Sequence, residues 1–319
     1  MALLARVADR LYWAGRYLER AEDTARIVRA THDLIVDLPV TATWHPLAAV
    51  TGSVVPGEVD PSDPLGETAV LSTLIADIHA PSSIVHSISA ARENLRTTRE
   101  VIPREAWQAV NGLSQYALAA APGSVGRAGR DRFLARVMDD CRRIDGVIES
   151  TMTRANPFRL HRLGRLIERA DMTTRVLGVR AAGLLRYDEN GATPAAEDVQ
   201  WMGVLRSLSA LQMYQRATKD SITGEAVVQY LLYYAPFPRS VQFCFDEIRA
   251  LLNALPSPQA PLAALDAAET VLADARPTAS DGHTLDDAMD AVQLAIGALD
   301  RAIHANYVAP TSGAIPGVA

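Results

Sequence analysis

The chain has 319 residues, of which 49% are hydrophobic and 21% are charged, and its formal net charge is −6. This balance is typical of a folded globular protein, and the negative charge argues against nucleic acid as a partner. The two cysteines, Cys141 and Cys244, are far apart in the sequence, which argues against a disulfide framework or zinc site and favours a cytoplasmic location. No run approaches the roughly 18 apolar residues of a membrane span, so no membrane association is expected.

Helical periodicity dominates the sequence from its first residues onward. Apolar residues recur with a period close to 3.6 over 3–37 and predict a long first helix, and a loop is predicted over 40–64. Further helices are predicted over 66–79, 82–101, 103–118, 127–153, 157–186, 195–218, 222–234, 238–254, 260–275 and 284–306. Almost nothing alternates with period two, so we predict an all-α antiparallel bundle of roughly ten helices. We expect one domain over 1–319, with a flexible tail at 307–319.

A charged dodecamer occurs twice in the chain. GRYLERAEDTAR at 15–26 and GRLIERADMTTR at 164–175 align without a gap and are identical at seven of twelve positions. Such identity suggests an internal duplication of a helical unit, with half-repeats at 1–125 and 126–306. We therefore expect the two segments to occupy equivalent places in the fold.

The charged side chains of each copy fall beside the apolar stripe of their helix. A glycine costs about 1 kcal/mol in a helix interior, so Gly15 and Gly164 indicate the close approach of another helix. The spacing also predicts ion pairs within each helix. These pairs are Glu22–Arg26 and Asp171–Arg175 at i,i+4, and Arg16–Glu19 and Arg165–Glu168 at i,i+3.

Three interpretations of the repeated charges are open. The two helices cross and pair their charges in the interior, since the arginine fork meets a carboxylate at two points. Alternatively, part of the same network lines a cleft that binds an anionic group, or the charges form a solvated face. The candidate anion-binding residues are Arg16, Arg20, Arg26, Arg165, Arg169 and Arg175, with Glu22 and Asp171 as acidic partners. A carboxylate metal site would need Glu-x-x-His, which neither copy supplies, so no metal is expected.

Two further stretches carry candidate binding residues. Arg92, Arg96 and Arg99 share one helix face, which is either an arginine rail for an acidic partner or a surface ladder of salt bridges. The predicted start of the helix 238–254 places Arg239 and Ser240 in the first turn, where free N–H groups and a cation would suit phosphate or carboxylate. The alternative is an arginine that caps a neighbouring chain end.

The double GRxxERA pattern resembles the alpha-E domain family, predicted α-helical proteins with a recurring Glu-Arg motif. Three stretches fit the pattern of that family, at 87–111, 159–177 and 238–248, and the resemblance covers nearly the whole chain. It implies that the gene lies beside, or is fused to, one for a circularly permuted ATP-grasp protein. Transglutaminase-like cysteine peptidases and a proteasome-related hydrolase are further partners that it implies. The implied system makes or modifies a peptide or amide.

Three functions are compatible with these observations. The favoured one is an accessory or substrate-binding component of an ATP-grasp system, which needs no cofactor and no activity of the isolated chain. The second is an enzyme in which Glu19 and Glu168 are paired carboxylates, one with a raised pKa. In that case the arginines of the two dodecamers would hold an anionic substrate. The third is a structural module that only assembles with other proteins.

Overall fold

The computed structural model of the chain describes residues 5–37, 44–52, 66–188, 194–219, 221–275, 277 and 282–308. These residues form thirteen α-helices and no strand, which confirms the all-α class. The helices are α1 Ala5–Asp37, α2 His45–Thr51, α3 Glu67–Leu71, α4 Ile84–Arg96, α5 Arg104–Ala120, α6 Arg127–Thr151, α7 Asn156–Asp188, α8 Pro194–Ser207, α9 Leu211–Thr218, α10 Gly224–Tyr233, α11 Val241–Asn253, α12 Gln259–Ala275 and α13 Gly282–Tyr307.

Most predicted helices are confirmed, and the differences have local causes. The predicted helix 195–218 is two helices, because the chain turns at Ser209, whose φ of 52° lies in the left-handed region. The predicted loop 40–64 contains the short helix α2, and the rest of it lies largely outside the described residues. The predicted tail is described only as far as residue 308, and its first residue, Tyr307, ends α13 and is buried.

The two longest helices, α1 and α7, form the centre of the molecule. On α1 pack α4, α6 and α8, whereas on α7 pack α11, α13 and α2. The helix α5 joins α4 to α6, and α12 joins α11 to α13, so each long helix carries a set of three helices connected by short segments. The arrangement places most residues of the two repeated dodecamers inside the protein.

The helices α4 and α11 begin in the same way. The hydroxyl of Ser83 accepts a hydrogen bond from the backbone N–H of His86, and that of Ser240 accepts one from Phe243. Serine side chains satisfy a first-turn N–H in this position, so both residues are N-caps. The helix predicted over 238–254 therefore starts at its fourth residue, because the capping serine lies outside the helix.

Matched threonines tie these two helix starts to the central pair. Thr24 Oγ donates to the carbonyl oxygen of Ser82 at 3.5 Å, and Thr173 Oγ donates to that of Arg239 at 2.9 Å. Both threonines occupy the same position of the dodecamer. The division of the chain into half-repeats at 1–125 and 126–306 stays a prediction, and the matched contacts show that the starts of α4 and α11 lie against equivalent positions of α1 and α7.

Candidate functional site

The dodecamers meet where α1 crosses α7, and glycine makes the crossing possible. A Cβ atom on Gly15 would overlap the carbonyl oxygen of His161, and one on Gly164 would overlap the carbonyl oxygen of Tyr12. The expected close approach is therefore confirmed, because only glycine leaves room for the facing backbone. His161 and Tyr12 are themselves matched by the alignment of the dodecamers, so the crossing looks alike from either helix.

Glu168 of α7 is held by two arginines of α1. Arg16 Nε donates to Glu168 Oε2 at 2.7 Å. Arg20 donates from Nε to Oε1 at 2.5 Å and from Nη2 to Oε2 at 3.0 Å. The two hydrogen bonds from Arg20 form the two-point geometry in which arginine binds a carboxylate most strongly.

Glu19 of α1 is held in the same way by α7, with one arginine more. Arg165 Nη2 donates to Glu19 Oε2 at 2.6 Å, and Arg169 donates to both carboxylate oxygens at 2.8 and 3.0 Å. Arg239, which precedes α11, adds a hydrogen bond from Nη1 to Glu19 Oε1 at 2.9 Å. The contacts between the two helices advance together in residue number, since Gly15 faces Arg165 and Glu19 faces Arg169. The helices α1 and α7 therefore run in the same direction here.

The outer arginine of each pair also contacts an acid of a flanking helix. Arg16 Nη1 donates to Asp300 of α13 at 2.9 Å, and Arg165 forms an ion pair with Asp145 of α6. Both flanking helices are the last of their set of three. The ion pairs thus follow the same approximate two-fold arrangement as the glycines.

These contacts correct part of the predicted pairing. The i,i+3 pairs within each helix are wrong, because each glutamate is bonded by the arginines of the other helix. The crossing brings two guanidinium groups of one helix to one carboxylate of its neighbour, which satisfies more of its lone pairs than a partner on the same helix could. The i,i+4 pairs are confirmed and are Glu22–Arg26 and Asp171–Arg175, both at 2.8 Å.

Burial of the glutamates excludes the interpretation as a solvated charged face. Glu19 is fully buried and Glu168 is 2% exposed. Burial raises the pKa of both carboxyls, but the surrounding arginines outweigh it, so that of Glu168 is lowered to about 2 and that of Glu19 well below its ordinary value. The two pKa shifts are opposite to the raised value that a general acid would need. The internal salt-bridge network is therefore what the crossing forms.

Asp23 is, with Asp145 and Asp300, a member of this network that the sequence did not indicate. It is fully buried, and its Oδ1 accepts hydrogen bonds from Arg26 at 2.7 Å and Arg239 at 2.9 Å. Burial raises its pKa to about 6. The two arginines lower the pKa, but burial is the largest influence and the nearby Glu19 and Glu22 add to it. The other dodecamer carries methionine at the same position, and this difference between the copies was the available signal.

The raised pKa of Asp23 predicts a pH-dependent contribution to stability. The ordinary pKa of the group, which applies to the unfolded chain, is 3.8, and its pKa in the fold is about 6. At a pH between these values, the native state therefore binds a proton that the unfolded chain does not. The free energy of unfolding that Asp23 contributes therefore falls as pH rises from about 4 to about 6. Denaturant unfolding at pH 4, 5, 6 and 7 is expected to show wild type losing stability relative to Asp23→Asn across that interval.

The matched control for this measurement is Asp139→Asn, because the Asp139 side chain is 74% exposed. Its free energy of unfolding is expected to stay close to that of wild type, because solvent screens the pair that Asp139 forms with Arg142. A difference between wild type and Asp23→Asn that stays constant from pH 4 to pH 7 would contradict the raised pKa.

A cleft of about 550 Å³ opens at the Glu168 end of the crossing. We call it the Glu168 cleft, and its lining includes Arg16, Arg20, Thr24, Gly52, Asp77, His79, Pro81, Ser82, Glu168, Asp171, Met172 and Arg175. The side chains of Arg20 and Arg175 are 20% and 35% exposed there. The Glu19 end differs, because Arg239 fills the matching space and closes it.

The predicted binding residues are thus divided between the two ends. Of the predicted arginines, those that line the cleft are Arg16, Arg20 and Arg175, and those buried near Glu19 are Arg26, Arg165 and Arg169. The side chain of Arg239, which also contacts Glu19, is 12% exposed. The anion site predicted at the start of α11 is not formed as expected, because the Ser240 hydroxyl caps the first turn and the guanidinium beside it binds acids of α1. That arginine does not cap a neighbouring chain end either.

The predicted arginine rail lies away from the crossing. Arg92 donates to Asn111 of α5 at 2.8 Å, and Arg96 pairs with Glu93 of its own helix at 2.7 Å. Arg99 and Arg92 both lie over the ring of Trp107, with distances of 5.2 and 5.7 Å to its centroid. Their partners belong to α4 and α5, which favours the surface ladder of salt bridges over a rail that faces the dodecamers.

Metal sites, free thiols and membrane spans are the other features to consider in the part of the chain that the structure describes. Within it, no group of three or more histidine, cysteine, aspartate or glutamate side chains is placed to hold a metal ion. Cys141 and Cys244 are buried free thiols. None of the described helices combines the length and the apolar character needed to cross a membrane.

Comparison with known proteins gives a family and distant relatives. The model of the Alpha-E family, described as a predicted alpha-helical domain with a conserved ER motif, matches residues 3–308. An uncharacterised protein of Mycobacterium bovis and one of Mycobacterium tuberculosis are each 25% identical to the chain. The alignments cover 79% of this chain but 30% of each relative, so the chain spans less than a third of their length. No solved structure matches.

Proposed function

Because the chain belongs to the Alpha-E family, a helical domain defined by its ER motif, we propose that it is a substrate-binding component rather than a catalyst. It takes an anionic group, a carboxylate or phosphate, in the Glu168 cleft. The observation that carries this proposal is the cleft itself, which opens beside an otherwise buried ion-pair network and exposes Arg20 and Arg175.

The two arginines are held in place before a ligand arrives. Arg20 is fixed by its two hydrogen bonds to Glu168 and lies over the ring of Tyr17, at 5.5 Å from its centroid. Arg175 is fixed by its hydrogen bond to Asp171 at 2.8 Å. Cations that are already oriented lose less conformational entropy when they bind an anion, so the cleft is suited to recognition of a small charged group.

The partner in this proposal is a circularly permuted ATP-grasp protein of the same cell. The ligand would be a substrate of the peptide or amide chemistry that such a protein performs, and a transglutaminase-like peptidase or proteasome-related hydrolase would act on the product. Two observations support an accessory role. The motifs resemble the family that occurs with these enzymes, and the matched relatives extend far beyond the segment that this chain covers. A cytoplasmic location belongs to the same proposal.

The alternative of an enzyme with Glu19 and Glu168 as acid and base has less support. Both carboxylates already accept hydrogen bonds from arginines on both oxygens, and the pKa of each is lowered. A carboxylate with a lowered pKa stays ionised, so it is a poor proton donor and a weak base. A purely structural module would not need the cleft.

Titration with small anions tests the proposed function. Inorganic phosphate and glutarate are expected to bind the wild-type chain, as measured by isothermal titration calorimetry at low ionic strength. Arg175→Gln is expected to weaken that binding about tenfold, since it removes a charge-assisted hydrogen bond. Arg96→Gln is the matched control, because Arg96 is an exposed arginine paired on its own helix, and it is expected to bind as wild type does.

Absence of binding by both anions at millimolar concentration, or equal weakening by the two variants, would overturn the proposal.

The partner is tested in the same preparation. Gel filtration with a circularly permuted ATP-grasp protein, ATP and magnesium is expected to show one complex at micromolar concentration, and separate elution would remove that protein as the partner.

A further inference from the structure

The two ends of the α1–α7 crossing differ at the residue that precedes the capping serine of α4 or of α11. The matched threonines, Thr24 and Thr173, donate to the carbonyl oxygens of Ser82 and Arg239, so these two residues occupy equivalent places. The side chain of Arg239 extends from its place to Glu19, with 2.9 Å between Nη1 and Oε1. At the other end a serine stands in that place, and the Glu168 cleft occupies the space that a guanidinium group would fill.

The acids at the two ends consequently have different numbers of cationic partners. Among the described residues, Glu19 accepts hydrogen bonds from three arginines, whereas Glu168 accepts them from two. Each oxygen of a carboxylate can accept two hydrogen bonds. Within the described part of the chain, Glu168 Oε1 receives one bond, from Arg20. It therefore has capacity for one more donor, and Glu168 is among the residues that line the cleft.

Glu22 and Asp171, the next acids along the two dodecamers, also differ in the number of arginines that neutralise them. Burial raises the pKa of Glu22, but Arg26 and Arg239 outweigh it, so the net shift is downward. The matched acid, Asp171, has Arg175 as its close cationic partner, and burial prevails, so its pKa is raised. When burial destabilises a carboxylate more than its arginine partner stabilises it, a further cation is favourable.

We infer that the Glu168 cleft binds a cationic group of the ligand, a guanidinium or primary ammonium, at the position that matches the guanidinium of Arg239. The group donates hydrogen bonds to Glu168 Oε1 and to Asp171. This inference rests on the proposed function, because it adds a second charge to the anionic ligand proposed there. The ligand class is then a molecule with both charges, such as an amino acid or the end of a peptide.

The charges that line the cleft agree with a ligand of this class. Three arginines and three acids line it: Arg16, Arg20, Arg175, Asp77, Glu168 and Asp171. These six formal charges cancel, so a ligand with no net charge leaves the cleft neutral, an amino acid with a cationic side chain adds one uncompensated charge, and a dianion or a dication adds two. Uncompensated charge in a partly buried site is costly, which favours the ligand that carries both signs.

Titrations of the wild-type chain with three probes test the inference. L-arginine carries one carboxylate with two cationic groups, glutarate carries two carboxylates and no cation, and agmatine keeps both cationic groups of L-arginine without the carboxylate. L-arginine is expected to bind about tenfold more tightly than glutarate and than agmatine, since each missing charge removes a charge-assisted hydrogen bond. Binding of glutarate that equals or exceeds binding of L-arginine would overturn the inference and leave the proposed function intact, whereas failure of all three would remove both.

Two variants locate the cationic group. Asp171→Asn is expected to reduce the preference for L-arginine over glutarate to near unity, while the exposed control Asp139→Asn keeps it. Ser82→Arg places in the cleft the residue type found at the matching position, and it is expected to abolish L-arginine binding without lowering the midpoint of thermal unfolding. Should Ser82→Arg fail to fold, the ratio measured for Asp171→Asn decides, and an unchanged ratio there would contradict the assigned position.

Discussion

Replacement of Glu19 with glutamine is expected to lower the free energy of unfolding by about 3–5 kcal/mol. Glu19 is fully buried and is the common partner of Arg165, Arg169 and Arg239. Glutamine keeps the shape but removes the negative charge, so three buried guanidinium groups lose their principal counter-ion. Breaking a buried ion pair on one side costs more than the pair contributes, because the remaining charge stays out of water.

Denaturant unfolding followed by circular dichroism measures this loss. Glu93→Gln is the matched control, since it also breaks a glutamate–arginine pair, but one in which both side chains are about half exposed. The control is expected to unfold at the wild-type midpoint because solvent screens such pairs. A Glu19→Gln variant that unfolds at the same midpoint as the control would show that the network is not buried as described. Under the alternative enzyme function, this variant would instead keep its stability and lose activity.

Alanine at Gly15 or Gly164 is expected to destabilise the fold by about 3 kcal/mol, at the upper end of overpacking effects. The added Cβ would overlap a backbone carbonyl oxygen of the facing helix, that of His161 or of Tyr12. A backbone atom cannot rotate away as a side chain does, so the two central helices must move apart. That separation lengthens the hydrogen bonds between each glutamate and the arginines of the other helix.

Gly112→Ala in α5 is the control for this prediction, because no atom beyond its chain neighbours and the nearby backbone of its own helix lies within 4 Å of the added Cβ. Alanine there is expected to stabilise the protein by about 0.5–1 kcal/mol, since it favours the helix over the unfolded chain. The three variants are compared by thermal and denaturant unfolding. Similar behaviour of Gly15→Ala and Gly112→Ala would contradict the close crossing of α1 and α7.

The identity of the crossing residues was predictable because it depends on local pattern. The apolar period of 3.6, the glycines inside two helical segments and the repeated dodecamer are properties of short stretches. From Gly15 and Gly164 the close approach of two helices followed directly, and the structure confirms it. The division of the helix predicted over 195–218 was missed, because a positive φ at Ser209 leaves no clear signal in the residues around it.

The partners of the charged residues were not predictable in the same way. A helical wheel places Arg16 beside Glu19 and Arg165 beside Glu168, yet the glutamates bond across the crossing. Sequence spacing describes one helix at a time, whereas the choice between two carboxylates depends on the angle and distance at which the helices meet. Asp23 was missed for the same reason, since its raised pKa comes from burial in the assembled fold and its partner Arg239 is distant in the sequence.

The sequence by itself determined the all-α class, the boundaries of most helices and the pair of segments that form the centre of the protein, because these follow from residue preferences along one helix. Only the tertiary structure decided which charges are paired and which end of the crossing is open. That difference comes from one residue at each helix start, Arg239 at one end and Ser82 at the other. A side chain that closes a space and one that leaves it open can be told apart only when the neighbouring helices are in place.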